Sequence, residues 1–382
     1  MSPGSPLNVM IVAEAAAGGV ATHLADLVRG LAALGEHVHL AVPAGDRLDP
    51  AVIDASVRHC CASVTCLPMP RRIGWRDVPA WWNLSHLLAR VRPDIVHSHS
   101  SKAGVLARAC RGPWRQVYTP HALYTLNPSL SRLQRRVFGG VEALLGRHRT
   151  DRLIAVSQTE ARHAQESLGI PSSRIVTIPN GVQPVCLLGR DAARAALGLH
   201  PTRFMVGFVG RFAHQKGLDR LVRVAELLQA DVGGALEFAL IGTGDLQAAA
   251  GRPVERLPAN VRVIGRVDHA RTYLSAFDVL LVPSRYEGFP YVYLEAMAAG
   301  LPIVTARVAG ASELVDAEQI GLVVVNQDDP QAMAGAVRTL YANAALRGRL
   351  ASRCAAALGR YTAQAMVART AAVYRQLVEE RT

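Results

Sequence analysis

The chain has 382 residues, half of them hydrophobic, and a formal net charge of +12 at pH 7. A single core rarely grows beyond about 250–300 residues, so this length predicts two domains. No apolar run approaches the roughly 20 residues that span a bilayer, so no membrane-spanning helix is expected. The six cysteines show neither metal-ligand spacing nor a disulfide framework, and the N-terminal apolar stretch is too short for a signal peptide. These features place the chain in the reducing cytoplasm.

The basic residues are unevenly distributed. Residues 1–180 carry 20 Lys and Arg against 12 Asp and Glu, and residues 181–382 carry 22 against 18. A basic surface attracts nucleic acid, acidic lipid or a phosphorylated substrate, and a solvated surface in an arginine-rich proteome explains the same charge. Only Lys102 and Lys216 are lysine, so a compact ammonium group is expected to matter at these two positions.

Strands and helices alternate through the first 180 residues. The predicted strands cover residues 8–12, 38–42, 94–97, 117–119, 152–156 and 175–178, and the first predicted helix covers residues 20–34. This alternation is typical of a parallel sheet with helices on its faces. The pattern breaks near residues 179–181, and residues 183–200 are predicted to form a linker with a short alanine-rich helix.

The alternation then restarts and predicts a second domain of the same kind. Its strands cover residues 205–209, 237–241, 261–264, 279–282, 303–305 and 322–325, with helices at 218–229 and 273–277 and a helical tail over 330–380. Two doubly wound α/β domains that face an interdomain cleft are therefore predicted.

The run EGFPYVYLEAMAAGLP at residues 287–302 is the most informative feature of the sequence. Pro290 suits the first position of a helix, and Gly300 is expected to end that helix after about three turns. A helix that begins after a glycine-containing turn is a ready phosphate site. Glu295 lies more than a turn inside the helix, where it could reach the hydroxyls of a ribose. Together with Glu287, these features indicate a sugar nucleotide.

A second loop, GFVGRFAHQKG at residues 207–217, brings two cations together. Gly210 ends a predicted strand, and Arg211 and Lys216 follow before the next helix. The arginine fork and the lysine point charge suit a diphosphate, and two solvated cations are the alternative interpretation. Gly242, in the sequence Gly-Thr-Gly after another strand, is expected to line the same cleft.

Gly18 and Gly19 follow the first strand and open a helix. Backbone N–H groups at such a place approach a phosphate closely, and a tight strand-to-helix turn explains the pair equally well. The pair is not a complete G-x-G-x-x-G fingerprint, so a nicotinamide dehydrogenase is disfavoured.

The histidines do not predict a metal site. His97 and His99 have metal-like spacing at a strand end, but no third ligand of obvious spacing follows. No Asp-x-Asp pair occurs, so a divalent ion held by such a pair is not expected. His121, after Thr119 and Pro120, is a candidate cleft-facing group, with a hydrogen-bonded structural histidine as the alternative.

Two basic segments are candidates for contact with an anionic membrane surface. Residues 71–82 hold three of the four tryptophans beside three arginines, and residues 132–149 place apolar residues at helical spacing between arginines. Basic amphipathic helices with tryptophan suit such an interface, and ordinary domain packing explains them as well.

In this order, the motifs resemble glycosyltransferase family 4, whose members have the GT-B fold of two Rossmann-like domains. The resemblance rests on AAAGGVATHLADLVRGLAALGEHV, PDIVHSHSSKAG, YTPHA, DRLIAVSQTEARHA, VTIPNGV, GRFAHQKGLDRLV, IGTG, VRVIGRV, EGFPYVYLEAMAAGLP and VAGASELV. It implies an acceptor-binding domain over residues 1–182, a donor-binding domain over 183–358, and a helix over 359–382 that returns to the first domain.

The resemblance also implies roles for particular residues. Arg211 and Lys216 match the pair that binds the donor diphosphate, Glu295 matches the ribose ligand, and Glu287 matches the first acid of an E-x7-E pattern near the donor sugar. The remaining matches are Gly288, Phe289 and Pro290 in a turn that contacts sugar and phosphate, Gly19 in a loop that closes over the diphosphate, His121 near the donor sugar, and Arg266 and Val267 near the base.

The sequence departs from the family pattern at two places. Ala122 follows the histidine where glycine is frequent, and Ala309 replaces the first glycine of a pair before Glu313. Both changes are small and concern only local loop geometry.

The expected reaction is a retaining, metal-independent transfer without a cofactor. A hexose or N-acetylhexosamine would move from a nucleoside-diphosphate sugar, with UDP as the first choice, to a glycan or lipid-linked saccharide in cell-surface polysaccharide synthesis. An epimerase or hydrolase of nucleotide sugars, or a non-catalytic scaffold of a polysaccharide assembly complex, is the alternative. The enzyme is expected in the cytoplasm, peripheral to the inner face of the cell membrane, and not on nucleic acid.

Overall fold

The structure, a computed structural model, describes residues 5–43, 45–69, 74–75, 77–325 and 328–381. Its contacts divide the chain into two compact units. Unit 1 combines Met1–Gly181 with Thr362–Thr382, and unit 2 is Val182–Tyr361. The chain therefore passes between the units twice, and its last helix packs with the unit that contains its first strand.

Unit 1 is built on a seven-stranded parallel sheet. Its strands are β1 (Asn8–Ala13), β2 (His37–Pro43), β3 (Ser63–Leu67), β4 (Ile95–His99), β5 (Arg115–Thr119), β6 (Arg152–Ala155) and β7 (Ile175–Thr177). They lie in the order β3-β2-β1-β4-β5-β6-β7, so β1 is flanked by β2 and β4. Val9 is in register with Val38 on one side and with Ile95 on the other.

Helices cover both faces of this sheet. They are α1 (Gly19–Ala33), α2 (Ala55–His59), α3 (Asp77–Val91), α4 (Ser101–Ala109), α5 (Arg132–His148) and α6 (Gln158–Arg162), together with the last helix of the chain (Ala363–Glu379). Val9 and Ile11 pack in one core with α1 and the last helix, whereas Met10 and Val12 pack in another with α3 and α4. Strand β1 is apolar from Val9 to Ala13 because both of its faces are buried.

Unit 2 repeats the plan with six parallel strands. They are β8 (Phe204–Val209), β9 (Leu236–Ile241), β10 (Val261–Gly265), β11 (Val279–Val282), β12 (Ile303–Ala306) and β13 (Gly321–Val324), in the order β10-β9-β8-β11-β12-β13. The helices are α7 (Arg190–Ala196), α8 (Leu218–Val232), α9 (Leu246–Ala250), α10 (Tyr291–Ala298), α11 (Pro330–Ala342) and α12 (Ala344–Leu358), and the last helix of the chain is therefore α13.

The predicted pair of doubly wound parallel domains is confirmed. The predicted strand at residues 279–282 has the observed bounds, and most other predicted strands are shorter than the observed ones by one or two residues. Sequence patterning missed β3 as a strand, because it lies at the edge of the sheet and its residues are only partly buried. The predicted helix at 273–277 is a 3-10 stretch, Ala270–Ala276, and the tail is divided into α11, α12 and α13.

Unlike an ordinary amphipathic helix, α5 of unit 1 buries a carboxylate and leaves several large apolar side chains exposed. Its fully buried residues are Glu142 and Gly146, whereas Leu133 and Leu144 are 72% and 62% exposed. Its inner face is held by charge, because Arg108 of α4 donates from Nη2 to Glu142 Oε2 at 2.7 Å. Tyr118 Oη donates to the other carboxylate oxygen at 3.0 Å. Among the described residues, no helix is long and apolar enough to cross a membrane.

Removal of the Glu142 carboxylate is expected to destabilise unit 1 strongly. Glu142→Ala leaves the Arg108 guanidinium, which is fully buried, without its counter-charge, and this costs about 3–5 kcal/mol. The matched control is Glu226→Ala, which breaks an exposed pair with Arg252 and costs about 0–1 kcal/mol. Urea titration of both variants measures the free energies of unfolding. Equal losses would contradict a structural role of the buried pair.

Candidate functional site

The strand order reverses at β1 in unit 1 and at β8 in unit 2, and most of the candidate residues lie in loops at the carboxyl edges of the two sheets near these reversals. In unit 2, β8 lies between β9 and β11. Strand β10 lies beyond β9 on one side, and β12 and β13 lie beyond β11 on the other. Loops that follow two such neighbouring strands leave a crevice at the carboxyl edge of the sheet, where ligands of doubly wound domains bind. The loop after β8 holds Arg211 and Lys216, and the loop after β11 holds Glu287.

The structure pairs Lys216 with Glu287. Lys216 Nζ lies 2.6 Å from Glu287 Oε1, although 71 residues separate them in sequence. The lysine side chain is 20% exposed and the glutamate side chain 8% exposed, so the lysine is the more accessible partner of the pair. Glu287 therefore holds the cation in place at the carboxyl edge of the sheet. The sequence placed both residues near the donor but did not predict their contact.

Arg211 is exposed, and the loop that carries it is tied to the β11 loop. Its Nη2 donates to Gln215 Oε1 at 3.5 Å, and Gln215 Nε2 donates to the Tyr286 carbonyl at 3.0 Å. Arg285 donates to the His214 carbonyl at 2.7 Å and to the carboxylate of Asp219. The Arg211 guanidinium is therefore available to a ligand, while its loop is held in place from the other side of the crevice.

Gly242 allows a third loop to pack against the same place. Its φ is +157°, and a Cβ built on it would lie 1.9 Å from the carbonyl oxygen of Gly210. Phe212 N donates to the Thr243 carbonyl at 2.7 Å, which links the two loops further. The loops after β8, β9 and β11 thus pack together on one side of the crevice. Any side chain at position 242 would displace Gly210 from this packing.

Helix α10 begins one residue later than the sequence pattern predicted. Pro290 is the N-cap with φ −64° and ψ 129°, and the helix runs for eight residues, about two turns rather than three. Its N-terminal N–H groups follow the turn of Gly288 and Phe289, and Phe289 packs against Gly310. Burial raises the pKa of Glu295, with the charge of Arg271 acting against that shift. A neutral hydroxyl-bearing ligand would restore the hydrogen bonds that this carboxylate loses on burial.

The residues expected near the base lie after β10, at the edge of the sheet. Arg266 is exposed and pairs with Asp268 at 3.1 Å, and Val267 is partly buried. Gly242 N donates to the Gly265 carbonyl at 2.8 Å and connects this turn to the loop after β9.

In unit 1, the corresponding reversal lies between β1 and β4. Helix α1 begins at Gly19, with Gly18 as its N-cap at φ +57° and ψ −142°. The first N–H groups of α1 therefore face the carboxyl edge of the sheet, as the glycine pair predicted. The groups expected there from β4 and β5 are His99 and His121.

Three histidines meet at this edge of unit 1. His23 on α1, His99 at the end of β4 and His121 after β5 offer ring nitrogens that all lie within 4.8 Å of one another. His99 Nδ1 is 3.0 Å from His121 Nε2, and His23 Nδ1 is 3.1 Å from Asn180 Oδ1. Burial lowers the pKa of all three imidazoles, that of His23 to about 4. They are therefore neutral at pH 7.

His23 was missed by the sequence reasoning, and so was Glu160. Glu160 is fully buried, and its carboxylate accepts from the N–H groups of Ala122, Leu123 and Val156 at 2.8–2.9 Å. Ala122 and its neighbour His121 both have positive φ, at 125° and 60°. Glu160 thus holds a strained turn that orients His121. The sequence signal was a helix-capping pattern, since the Ser157 side chain accepts from Glu160 N.

Solved structures with the same architecture define the class. The structure superposes on sucrose-phosphate synthase from Thermosynechococcus elongatus with a TM-score of 0.83 at 24% identity, over 98% of this chain and all of that one. It also superposes on HepE from Anabaena, solved with UDP and glucose, with a TM-score of 0.78 at 20% identity, over 96% and 99% of the two chains. The chain therefore has the GT-B fold, with two Rossmann-like domains.

Sequence comparison gives the family. The family model described as glycosyl transferases group 1 matches residues 203–343, and the one described as glycosyltransferase family 4 matches residues 17–185. A D-inositol 3-phosphate glycosyltransferase of Acidothermus cellulolyticus is 30% identical over 99% of this chain and 89% of its own length. An Escherichia coli UDP-Gal:alpha-D-GlcNAc-diphosphoundecaprenol alpha-1,3-galactosyltransferase is 27% identical over 75% and 74% of the two chains. The chain belongs to glycosyltransferase family 4 and is a transferase.

The titration of Glu160 is expected to make the stability of the chain depend on pH. Burial raises its pKa from 4.5 to about 7, so the folded chain binds this proton more tightly than the unfolded chain. The resulting stabilisation is present below pH 4.5 and is lost as the pH rises through about 7. Relative to Glu160→Gln, the free energy of unfolding should fall by on the order of 3 kcal/mol over that range.

Urea titrations across this pH range measure the difference between the chain and the variant. Glu166→Gln, at an exposed glutamate six residues later, is the control and should leave the pH dependence unchanged. A difference between the chain and Glu160→Gln that does not vary with pH would contradict the titration.

Proposed function

We propose that the protein transfers a hexose or N-acetylhexosamine from a nucleoside-diphosphate sugar to a hydroxyl group of a glycan or lipid-linked saccharide. The observation that carries the proposal is the Lys216–Glu287 pair at the strand-order reversal of unit 2. Unit 2 is the proposed donor domain and unit 1 the proposed acceptor domain. UDP is the proposed nucleotide, supported by the UDP-Gal in the name of the Escherichia coli relative and by the UDP bound to HepE.

The charges at the carboxyl edge of unit 2 suit a diphosphate. Lys216 contributes a point charge fixed by Glu287, and Arg211 adds an exposed fork. Helices α8 and α10 begin beside these residues, so their N-terminal N–H groups add partial positive charge. Glu295, inside α10, is the proposed ligand of the ribose hydroxyls.

The proposed chemistry is electrostatic rather than covalent. The bond between the sugar C1 and the diphosphate oxygen breaks, and Arg211 and Lys216 stabilise the charge that grows on the leaving group. The acceptor hydroxyl forms the new bond to C1 on the face that the diphosphate leaves, so the anomeric configuration is retained. A phosphate oxygen of the leaving group takes the hydroxyl proton. In this mechanism the two cations stabilise the leaving diphosphate, as a bound divalent ion does in metal-dependent transferases, so no metal is required for this step.

Two other functions would use the same fold. A nucleotide-sugar epimerase or hydrolase would convert the donor without an acceptor, whereas the proposed transferase should consume little donor alone. A non-catalytic scaffold would bind no nucleoside diphosphate. The Lys216–Glu287 ion pair and the raised pKa of Glu295 favour binding, so the scaffold is the weaker alternative.

Lys216→Ala is expected to lower kcat by about 100–1,000-fold, the usual loss when one transition-state donor is removed. The substitution also leaves the mostly buried Glu287 carboxylate unpaired, so the melting temperature should fall by several degrees while the fold survives. Arg252→Ala, which removes another cation from an ion pair with a glutamate of unit 2, is the control and should keep normal turnover. Turnover is measured with UDP-sugars in the presence of EDTA, and NMR of the product gives the anomeric configuration.

Near-normal turnover of Lys216→Ala would contradict the diphosphate assignment. A thermal-shift series with UDP, GDP and ADP sugars tests the donor independently, because a ligand that binds the folded state raises the apparent melting temperature. If none of these nucleotides shifts the melting temperature, the donor site is disproved. An inverted product or loss of turnover in EDTA would disprove the retaining, metal-independent mechanism.

We further propose that unit 1 contacts an anionic bilayer at the inner face of the cell membrane through α5 and α3. The outward residues Leu133, Val137, Val141 and Leu144 of α5 form an exposed apolar stripe. Trp81 and Trp82 on α3 are exposed as well, and α4 packs against both helices. Arg132 and Arg136 are exposed at the start of α5 and suit acidic headgroups. Residues 71–73 and Arg76 of the first basic segment lie outside the described residues.

The paired substitution Leu133→Ser and Leu144→Ser is expected to weaken binding to vesicles at least tenfold. Each leucine loses apolar contact worth about 1 kcal/mol or more when it inserts into the interface. Co-sedimentation with phosphatidylglycerol vesicles measures this, and phosphatidylcholine vesicles should bind weakly. The control pair Val254→Ser and Val263→Ser removes exposed apolar residues from unit 2 and should not change binding. Unchanged binding of the leucine variant would contradict the proposal.

A further inference from the structure

We propose that His23, His99 and His121 form a binding site for a divalent transition-metal ion of the zinc type in unit 1. The three side chains come from α1, the end of β4 and the turn after β5, so only the tertiary fold brings them together. Each offers one ring nitrogen, and these nitrogens lie within 4.8 Å of one another. All three ligands belong to unit 1, so none of them is a proposed donor residue of unit 2.

The spacing of the nitrogens is close to that of a zinc site. Tetrahedral zinc binds imidazole nitrogens at about 2.0–2.1 Å, which places two such nitrogens roughly 3.3 Å apart. His99 Nδ1 and His121 Nε2 are already 3.0 Å apart. Rotation of the His23 ring toward this pair would complete three ligands and leave the fourth position open.

The hydrogen bonds around the cluster leave part of it unpartnered. His99 is fully buried, yet its Nε2 has no hydrogen-bond partner in the part of the chain that the structure describes. Internal hydrogen bonding therefore does not account for the burial of this ring, since buried polar atoms are nearly always paired. This unpartnered nitrogen is not Nδ1, the proposed ligand atom that faces His121, so the proposal rests on the spacing of the ligand nitrogens.

Neighbouring residues orient the rings as an outer shell does around a metal. Asn180 Oδ1 lies 3.1 Å from His23 Nδ1, where it can accept the ring proton and leave Nε2 as the ligand atom. His97 is not a ligand, because its nitrogens are already engaged by Tyr374 Oη at 2.5 Å and Thr119 Oγ1 at 2.8 Å. Its ring packs 4.0 Å from that of His99, centroid to centroid, and fixes it in place.

The ligand set selects the class of ion. Neutral imidazoles suit Zn²⁺, Cu²⁺ and Ni²⁺, whereas Mg²⁺ and Ca²⁺ need oxygen ligands. Among the described residues, the group contains histidines and no carboxylate. The ion would also occupy His121, which the family resemblance places near the donor sugar, so we expect Zn²⁺ to inhibit a transferase that needs no metal.

Titration of the metal-free protein with Co²⁺, followed by visible absorption and then displacement with Zn²⁺, tests the site. One equivalent should bind with the intense bands of a tetrahedral ion. Loss of an outer-shell partner typically weakens metal binding 10–100-fold, so loss of a ligand in His99→Ala should weaken it by about 100-fold or more. The control is His86→Ala, an exposed histidine on α3, which should titrate like the unchanged chain.

His23→Ala is titrated as a second ligand variant, so that one misfolded substitution does not decide the outcome. Circular dichroism and melting temperature establish that each variant is folded. Equal titration curves for the chain, a folded His99→Ala and a folded His23→Ala would overturn the site. If Zn²⁺ binds as expected but does not inhibit transfer, the metal site stands and the placement of His121 near the donor sugar fails.

Discussion

Parallel pairing of every strand is the constraint on which the rest of the structure depends. Because all strands of a sheet point the same way, each carboxyl end and the start of each following helix lie at one edge. Both sheets also have the strand order 3-2-1-4-5-6 counted from their first strand, which unit 1 extends by a seventh strand, so each has one place where the order reverses. Loops distant in sequence meet there without further elements to bring them together.

In unit 2 this constraint brings the charged loops after β8 and β11 together at the carboxyl edge of the sheet. Lys216 and Glu287 become neighbours because β8 and β11 are neighbours, and Gly242 adds the loop after β9. The pair is more than half buried on both sides, so the carboxylate fixes an ammonium that would otherwise be mobile. In the proposed reaction, a fixed cation beside the starts of two helices stabilises charge without rearrangement of solvent.

In unit 1 the same constraint produces a cluster of neutral imidazoles instead of cations. His23, His99 and His121 lie after or beside β1, β4 and β5, and burial lowers the pKa of each. The two units therefore share a topology but present different chemistry at the corresponding edge. Helix α5 adds a second asymmetry, because an ion pair lies on its buried face whereas its residues Leu133 and Leu144 are exposed.

Sequence patterning predicted most of the fold because buried parallel strands are continuous apolar runs and their helices have clear starts. The missed strand β3 is an edge strand with partly buried residues, where burial does not impose such a run. At the site, Arg211, Lys216 and Glu295 could be selected from loop position and residue type. The sequence marks Glu160 only as part of a helix-capping pattern and gives no signal for His23, because their importance comes from the backbone turn and the rings they meet.

The sequence by itself determined the two parallel domains, the loops that carry the cations and the family to which the chain belongs, since each depends on local periodicity or contiguous motifs. Only the tertiary structure decided which of those residues touch. The Lys216–Glu287 contact, the three-histidine cluster and the exposed stripe of α5 depend on strand order and on which helix face is buried. These are long-range choices, made when the sheet assembles, and no local stretch of sequence specifies them.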